Sequence, residues 1–298
     1  MNYFQIFTIF SAFYSILPII ITIKMTVFYI KNRSSLTPNT LHPVLYLQFL
    51  IMQFLNFLHV ISTFLVSRIP DGGWFMEEMC QRESYLRFLI FLSYGAVYAK
   101  NFSTISFCLT RVFILFMDDG KEACQFIYLT LFLIPVAFLL ALPRNIVEAK
   151  CVLMEPPFPS GAVMIVSDLG SENKMSDSQI IEAVFYPSVI IVILSLTFLM
   201  FWKLLQSRKL STLVGRKFDR NAERSLTITM ILILLPVIVN SSIAILGIFN
   251  YSSFILYVLR PWMIDARCHI IVCYFYFTHP IFKRKRVSQK ILKSKDTK

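Results

Sequence analysis

The sequence predicts an all-α membrane protein, a seven-transmembrane helix bundle with its N-terminus outside and its C-terminus inside. Three observations carry that expectation. The chain holds seven apolar runs of about 20 residues, enough to cross a hydrocarbon core of roughly 30 Å. Of its 298 residues 56% are hydrophobic, Phe alone contributing 29, and only 15% are charged, against roughly 25% in soluble domains. Lys and Arg, finally, gather in the segments on one side of the runs.

The runs fall at about 6–30, 44–66, 86–116, 125–142, 180–202, 225–248 and 253–277. The first has no basic residue ahead of it, lacks a small-residue cleavage site and exceeds a signal-peptide core in length, so it reads as a retained helix. The third is longer than a bilayer requires and implies tilt or a projecting end. With the N-terminus outside, the inner side collects Lys31, Arg33, Arg111, Lys121, Lys203, Arg208, Lys209, Arg216, Lys217, Arg220 and Arg224, with more basic residues after residue 280. The outer side holds Arg68, Arg82, Arg144, Lys150 and Lys174. The net charge of +12 is therefore a membrane-face bias, not the footprint of a nucleic-acid partner. One domain, 1–280, is expected to precede a short basic tail, 281–298. No internal repeat is visible, which argues against a transporter built from paired halves.

Polar residues inside the runs mark the candidate site. Arg260, Asp265 and Arg267 interrupt the last run, and intramembrane ionisable groups face a bundle interior, where they find partners. In the third run Ser93, Lys100, Thr104 and Arg111 share one helical face. Lys100 and Asp265 lie within roughly 6 Å of each other along the membrane normal by helical rise. That predicts an inter-helix pair, with Asp265–Arg260 as the rival and a water-filled cavity solvating each charge as the third possibility. Arg111, at the inner end of the polar face, suits a switch meeting a cytoplasmic partner; the competing reading is an Arg that snorkels to lipid phosphates. Pro236 removes the hydrogen bond to the Leu232 carbonyl and predicts a hinge. Asn240, Ser241 and Ser242 follow it and can re-satisfy freed backbone groups.

Of the six cysteines only Cys80 and Cys151 fall on the oxidising outer side, so either a bridge or two free thiols stand there. His59, Asp265 and His269 invite a metal reading, but the two histidines sit roughly 13 Å apart in depth by helical rise. No serine-hydrolase elbow, P-loop or HExxH occurs. No enzyme activity, metal or cofactor is expected.

Seven spans, the Cys80/Cys151 couple, Arg111 below the third span and a proline in the sixth together resemble a G-protein-coupled receptor. LRPWMID at 259–265 and YFYFTHPIFKRK at 274–285 resemble the seventh helix of nematode serpentine chemoreceptors, most closely the Srg superfamily, class V or class gamma. Departures from the rhodopsin-like pattern are Thr110 before Arg111, no Trp ahead of Pro236, and THPIF closing the last helix. The resemblance implies a multi-pass receptor of the cell membrane, in sensory neurons, that binds a small external molecule and signals through a heterotrimeric G protein. It implies a ligand pocket drawn from Lys100, Thr104, Asn240, Arg260 and Asp265, and a G-protein face at Arg111, Arg216 and Lys217. A ligand-gated channel subunit with its N-terminus inside, and a membrane enzyme or transporter, are the alternatives.

Overall fold

The computed structural model describes residues 3–32, 41–74, 80–116, 125–154, 158, 161–167, 177–211, 220–248 and 254–282. Seven long helices dominate it: α1 (Tyr3–Asn32), α2 (Pro43–Thr63), α3 (Glu83–Phe116), α4 (Gln125–Ala141), α5 (Asp177–Ser211), α6 (Arg220–Ile248) and α7 (Phe254–Thr278). Each predicted run lies on one of them. Four stretches among the described residues are long and apolar enough to cross a membrane on composition alone: Tyr3–Asn32, Pro43–Asp71, Gln125–Ile146 and Val184–Gln206. Three helices fall outside this group: α6, whose apolar stretch Arg224–Val239 is shorter, and α3 and α7, which carry ionisable residues within their apolar runs. Lys100, Thr104, Arg111, Asp265 and Arg267 are turned inward, which lowers the average hydropathy of the two helices without placing those groups against lipid.

α1 shows the packing logic plainly. Its buried residues Phe4, Phe7, Ser11, Pro18, Ile21, Met25 and Tyr29 recur at helical spacing and form one stripe. Ile6, Phe10, Phe13, Leu17 and Ile20 are exposed around the remaining circumference. In water such a surface would aggregate; against lipid it is the required exterior.

α3 is the central helix, packed along α2, α4 and α5 but not closely along α6 or α7. Gly95 permits a close approach to α4: a Cβ there would sit 2.3 Å from the Phe138 ring. α1 packs on α7 and α2, and α6 on α7 and α5. A core of Phe49, Phe107, Val189, Ile193, Met230, Ile233, Ile271 and Phe275 joins the helices at their middle.

At one end of the bundle, β1 (Ala149–Leu153) and β2 (Val163–Ser167) form an antiparallel hairpin, with Ala149 opposite Ser167 and Leu153 opposite Val163. A disulfide joins Cys151 of β1 to Cys80, just ahead of α3, and Ala149 packs with Leu86 and Ile90 of α3. At the other end Phe282, in the turn after Pro280, sits among Phe28, Tyr46 and Phe275, 5.2 Å from the Phe28 ring.

Past Thr63, α2 changes pitch: Phe64–Arg68 is a π turn, and the Ile69 amide donates to the Phe64 carbonyl five residues back. In a straight α-helix five residues would leave Arg68 about 140° away from the direction of Thr63. The wider turn instead brings Arg68 back to the buried side, where it is 2% exposed.

Candidate functional site

Three polar layers cross the bundle. The first, nearest the disulfide end, ties α1, α2 and α7 together. Arg68 Nη2 lies 2.5 Å from Asp265 Oδ1, and the same guanidinium donates to Ser11 Oγ and, at 3.4 Å, to the Pro261 carbonyl. Ser11 Oγ donates to Asp265 Oδ2 at 3.2 Å, and the Tyr14 hydroxyl donates to that oxygen too. The Phe7 and Phe64 rings lie 5.4 and 5.1 Å from the Arg68 guanidinium carbon. His269 is held between the Asp265 carbonyl, 2.6 Å from Nδ1, and Ser15 Oγ, 3.0 Å from Nε2.

This layer corrects the sequence reading. Asp265 pairs with Arg68, neither with Lys100 nor with Arg260, and Arg260 is exposed. Arg68, assigned by sequence to the outer loops, is a buried core residue. Helical rise fixes the depth of Lys100 and Asp265 but not their azimuth: Asp265 looks toward α1 and α2, while α3 lies on another side of α7. The signal that pointed to Arg68 was an intramembrane carboxylate in need of a cation, combined with Arg68 lying at the end of a span. What hid it was the π turn, which regular helical spacing cannot register.

The second layer joins α7 to α3. Arg267 donates through Nη1 to Asn101 Oδ1 at 2.8 Å, and through Nη2 to the Lys100 carbonyl at 3.3 Å and to Thr104 Oγ1. Two residues apart on α7, Asp265 and Arg267 point about 200° apart, which is why one serves α1 and α2 and the other α3. Lys100 itself is 1% exposed. Asn240 lies on α6, but its side chain is outside the described residues.

The third layer lies at the opposite end. Arg111 of α3 is 2% exposed and donates to Thr227 Oγ1 of α6 at 3.0 Å. Ser225 of α6 and Thr278 of α7 share a hydroxyl contact of 2.8 Å. Arg111 is thus turned into the bundle in this conformation and bonded to α6. Arg216 and Lys217 lie outside the described residues. Pro236 sits inside α6, between the Thr227 contact and the residues beyond the core. Ser93 of the predicted polar face is only partly buried, whereas Lys100, Thr104 and Arg111 are fully enclosed.

No group of three or more His, Cys, Asp or Glu residues among the described residues has the arrangement of a metal site. His269 is occupied by α1 and by its own helix, as a buried structural histidine is.

A seven-helix bundle with buried charge layers, a disulfide tying a hairpin to α3, and an α3 arginine bonded to α6 has the architecture of a seven-transmembrane receptor. The chain belongs to the Sru family of serpentine seven-transmembrane G-protein-coupled chemoreceptors, whose family model matches residues 1–285. No curated protein matches it. The match makes it a multi-pass membrane protein and a G-protein-coupled chemosensory receptor. The seventh-helix motif had pointed to class V or class gamma of the Srg superfamily; the matched family is Sru.

Proposed function

We propose that the receptor places its N-terminus and the disulfide-tied hairpin outside the cell, binds a small external molecule among α2, α3, α6 and α7, and releases α6 from α3 to engage a heterotrimeric G protein. The observation that carries this reading is the Arg111–Thr227 bond, which closes the end of the bundle opposite the hairpin. Thr227 stands where an acidic partner would make a stronger, charge-assisted bond. A ligand that binds the open bundle more tightly shifts the population toward it by its differential affinity. Lys203 of α5 and Arg224 of α6 lie toward the same end, and in this reading the basic sequence between them, with Arg216 and Lys217, and the basic tail meet the anionic inner leaflet and the G protein. Membership of a serpentine chemoreceptor family supports a sensory-neuron membrane as the site of expression.

Epitope tags at the two termini, read on intact and permeabilised cells, test the orientation. An N-terminal tag reached only after permeabilisation overturns it. In the same cells, Arg111→Ala is expected to lower ligand-stimulated nucleotide exchange on the G protein at least tenfold while surface expression stays near wild type. Unchanged exchange removes Arg111 from the switch.

A further inference from the structure

The middle of the bundle holds more cationic and donor groups than the protein satisfies. Lys100 is 1% exposed, yet among the described residues its ammonium makes no hydrogen bond and no ion pair. A second cation stands beside it, since Arg267 of α7 donates to the Lys100 carbonyl at 3.3 Å. Of the carboxylates described within the spans, Asp265 is held by Arg68 and Asp71 accepts from Ser67 at 2.8 Å.

The same region contains a run of buried polar atoms without a partner: both ends of the Gln53 amide, Asn56 Nδ2, Ser103 Oγ and Arg267 Nε. All four residues are at most 4% exposed. They are not scattered. Phe49 of α2 lies against Phe107 of α3, with ring centroids 5.9 Å apart, which sets the register of the two helices. Four residues toward the hairpin end from that contact come Gln53 and Ser103; seven residues along come Asn56 and Lys100. Those steps are about one and two helical turns, so the four side chains stand opposite one another on facing stripes. Arg267 reaches the same level from α7 through the Lys100 carbonyl. Because α3 does not pack closely along α7, side chains rather than backbone fill the gap between them.

Native proteins leave few buried polar atoms unpaired, and an unpaired buried cation is the costliest of them. Others, such as Thr22 Oγ1 and Gln48 Oε1, lie elsewhere among the described residues, but these five share the level of Lys100 and are mostly donors. We infer that the ligand site of this receptor lies between α2, α3 and α7 at the level of Lys100, and that it takes a small organic anion. The anionic head, a carboxylate or a group of like charge, pairs with Lys100 and accepts from Asn56, Gln53 and Arg267 Nε, and its apolar portion extends among the surrounding aromatic and aliphatic side chains. The inference rests on the receptor reading above and names the class of ligand for it. Asp265 is not part of this pocket: its charge is spent on α1 and α2.

The test uses the full-length receptor in lipid nanodiscs, with straight-chain carboxylates of four to ten carbons as probes and the alcohols and amines of the same lengths as controls. Carboxylates are expected to raise the melting temperature by about 5 °C near saturation, and the alcohols and amines to leave it unchanged. Lys100→Met is expected to weaken the carboxylate effect at least tenfold. Because it removes an uncompensated buried charge, it is also expected to keep or raise the melting temperature without ligand. A Lys100→Met protein that melts lower than wild type shows that the ammonium is already satisfied, and overturns the inference. Alcohols or amines that stabilise as well as carboxylates overturn it too. Basal nucleotide exchange on the G protein, measured on the same samples, separates the two levels. Exchange retained with no carboxylate effect sinks the anion and keeps the receptor, whereas absent exchange counts against the receptor mechanism itself.

Discussion

Arg68→Ala is expected to destabilise the receptor by about 3–5 kcal/mol, because it leaves the Asp265 carboxylate buried without its cation. Against a total stability of about 5–15 kcal/mol, that loss shows as a steep fall in folded, surface-delivered protein and in the melting temperature of what remains. Ser11 and Tyr14 still donate to Asp265 in the variant, but neutral donors do not replace a guanidinium. The paired variant Arg68→Met with Asp265→Leu removes both charges and is expected to recover most of the loss, as apolar replacements of buried ion pairs do. A single Arg68→Ala variant within about 1 kcal/mol of wild type would show that water or lipid headgroups solvate Asp265 and that the first layer is not a structural tie.

Cys151→Ser is expected to cost about 2–5 kcal/mol. The bridge closes a segment of 71 residues that includes α3 and α4, and its loss frees the hairpin from the start of α3. The Ala149, Leu86 and Ile90 contact remains but has little area with which to hold the hairpin in place. Cys80→Ser and the double variant are expected to match the single change, since either one removes the whole bridge. Surface expression and proteolysis of the 143–179 loop on intact cells provide the readouts. A double variant much worse than either single one would mean that the thiols act separately.

The seven helices were legible because lipid imposes a length and a polarity that no soluble fold requires. The disulfide followed from the expected sidedness: only Cys80 and Cys151 fall on the side read as outer. Depth was legible as well, since rise per residue is fixed; Lys100, Asp265 and Arg267 do lie in the same middle portion of the bundle. Azimuth was not. Which neighbour a helical face meets depends on the packing order of the helices, and a misjudged order sent Asp265 toward α3 when it faces α1 and α2. The partnerless amides of Gln53 and Asn56 were equally hidden. Polar residues in a span announce that they face inward, but whether they are satisfied there is a property of the assembled bundle.

The π turn of α2 has a consequence for comparing this chain with its relatives. Phe64–Arg68 carries one residue more than an α-helix of equal reach, so the segment tolerates a change in chain length that a regular helix would transmit to everything beyond it. A relative one residue shorter here would keep the same inward face up to Thr63, yet present the neighbour of its arginine position where Arg68 now stands. Position-by-position alignment across this segment therefore misassigns the residue that meets Asp265 unless the gap is placed inside the turn. A relative that lacks an arginine at the aligned position has not thereby lost the pair.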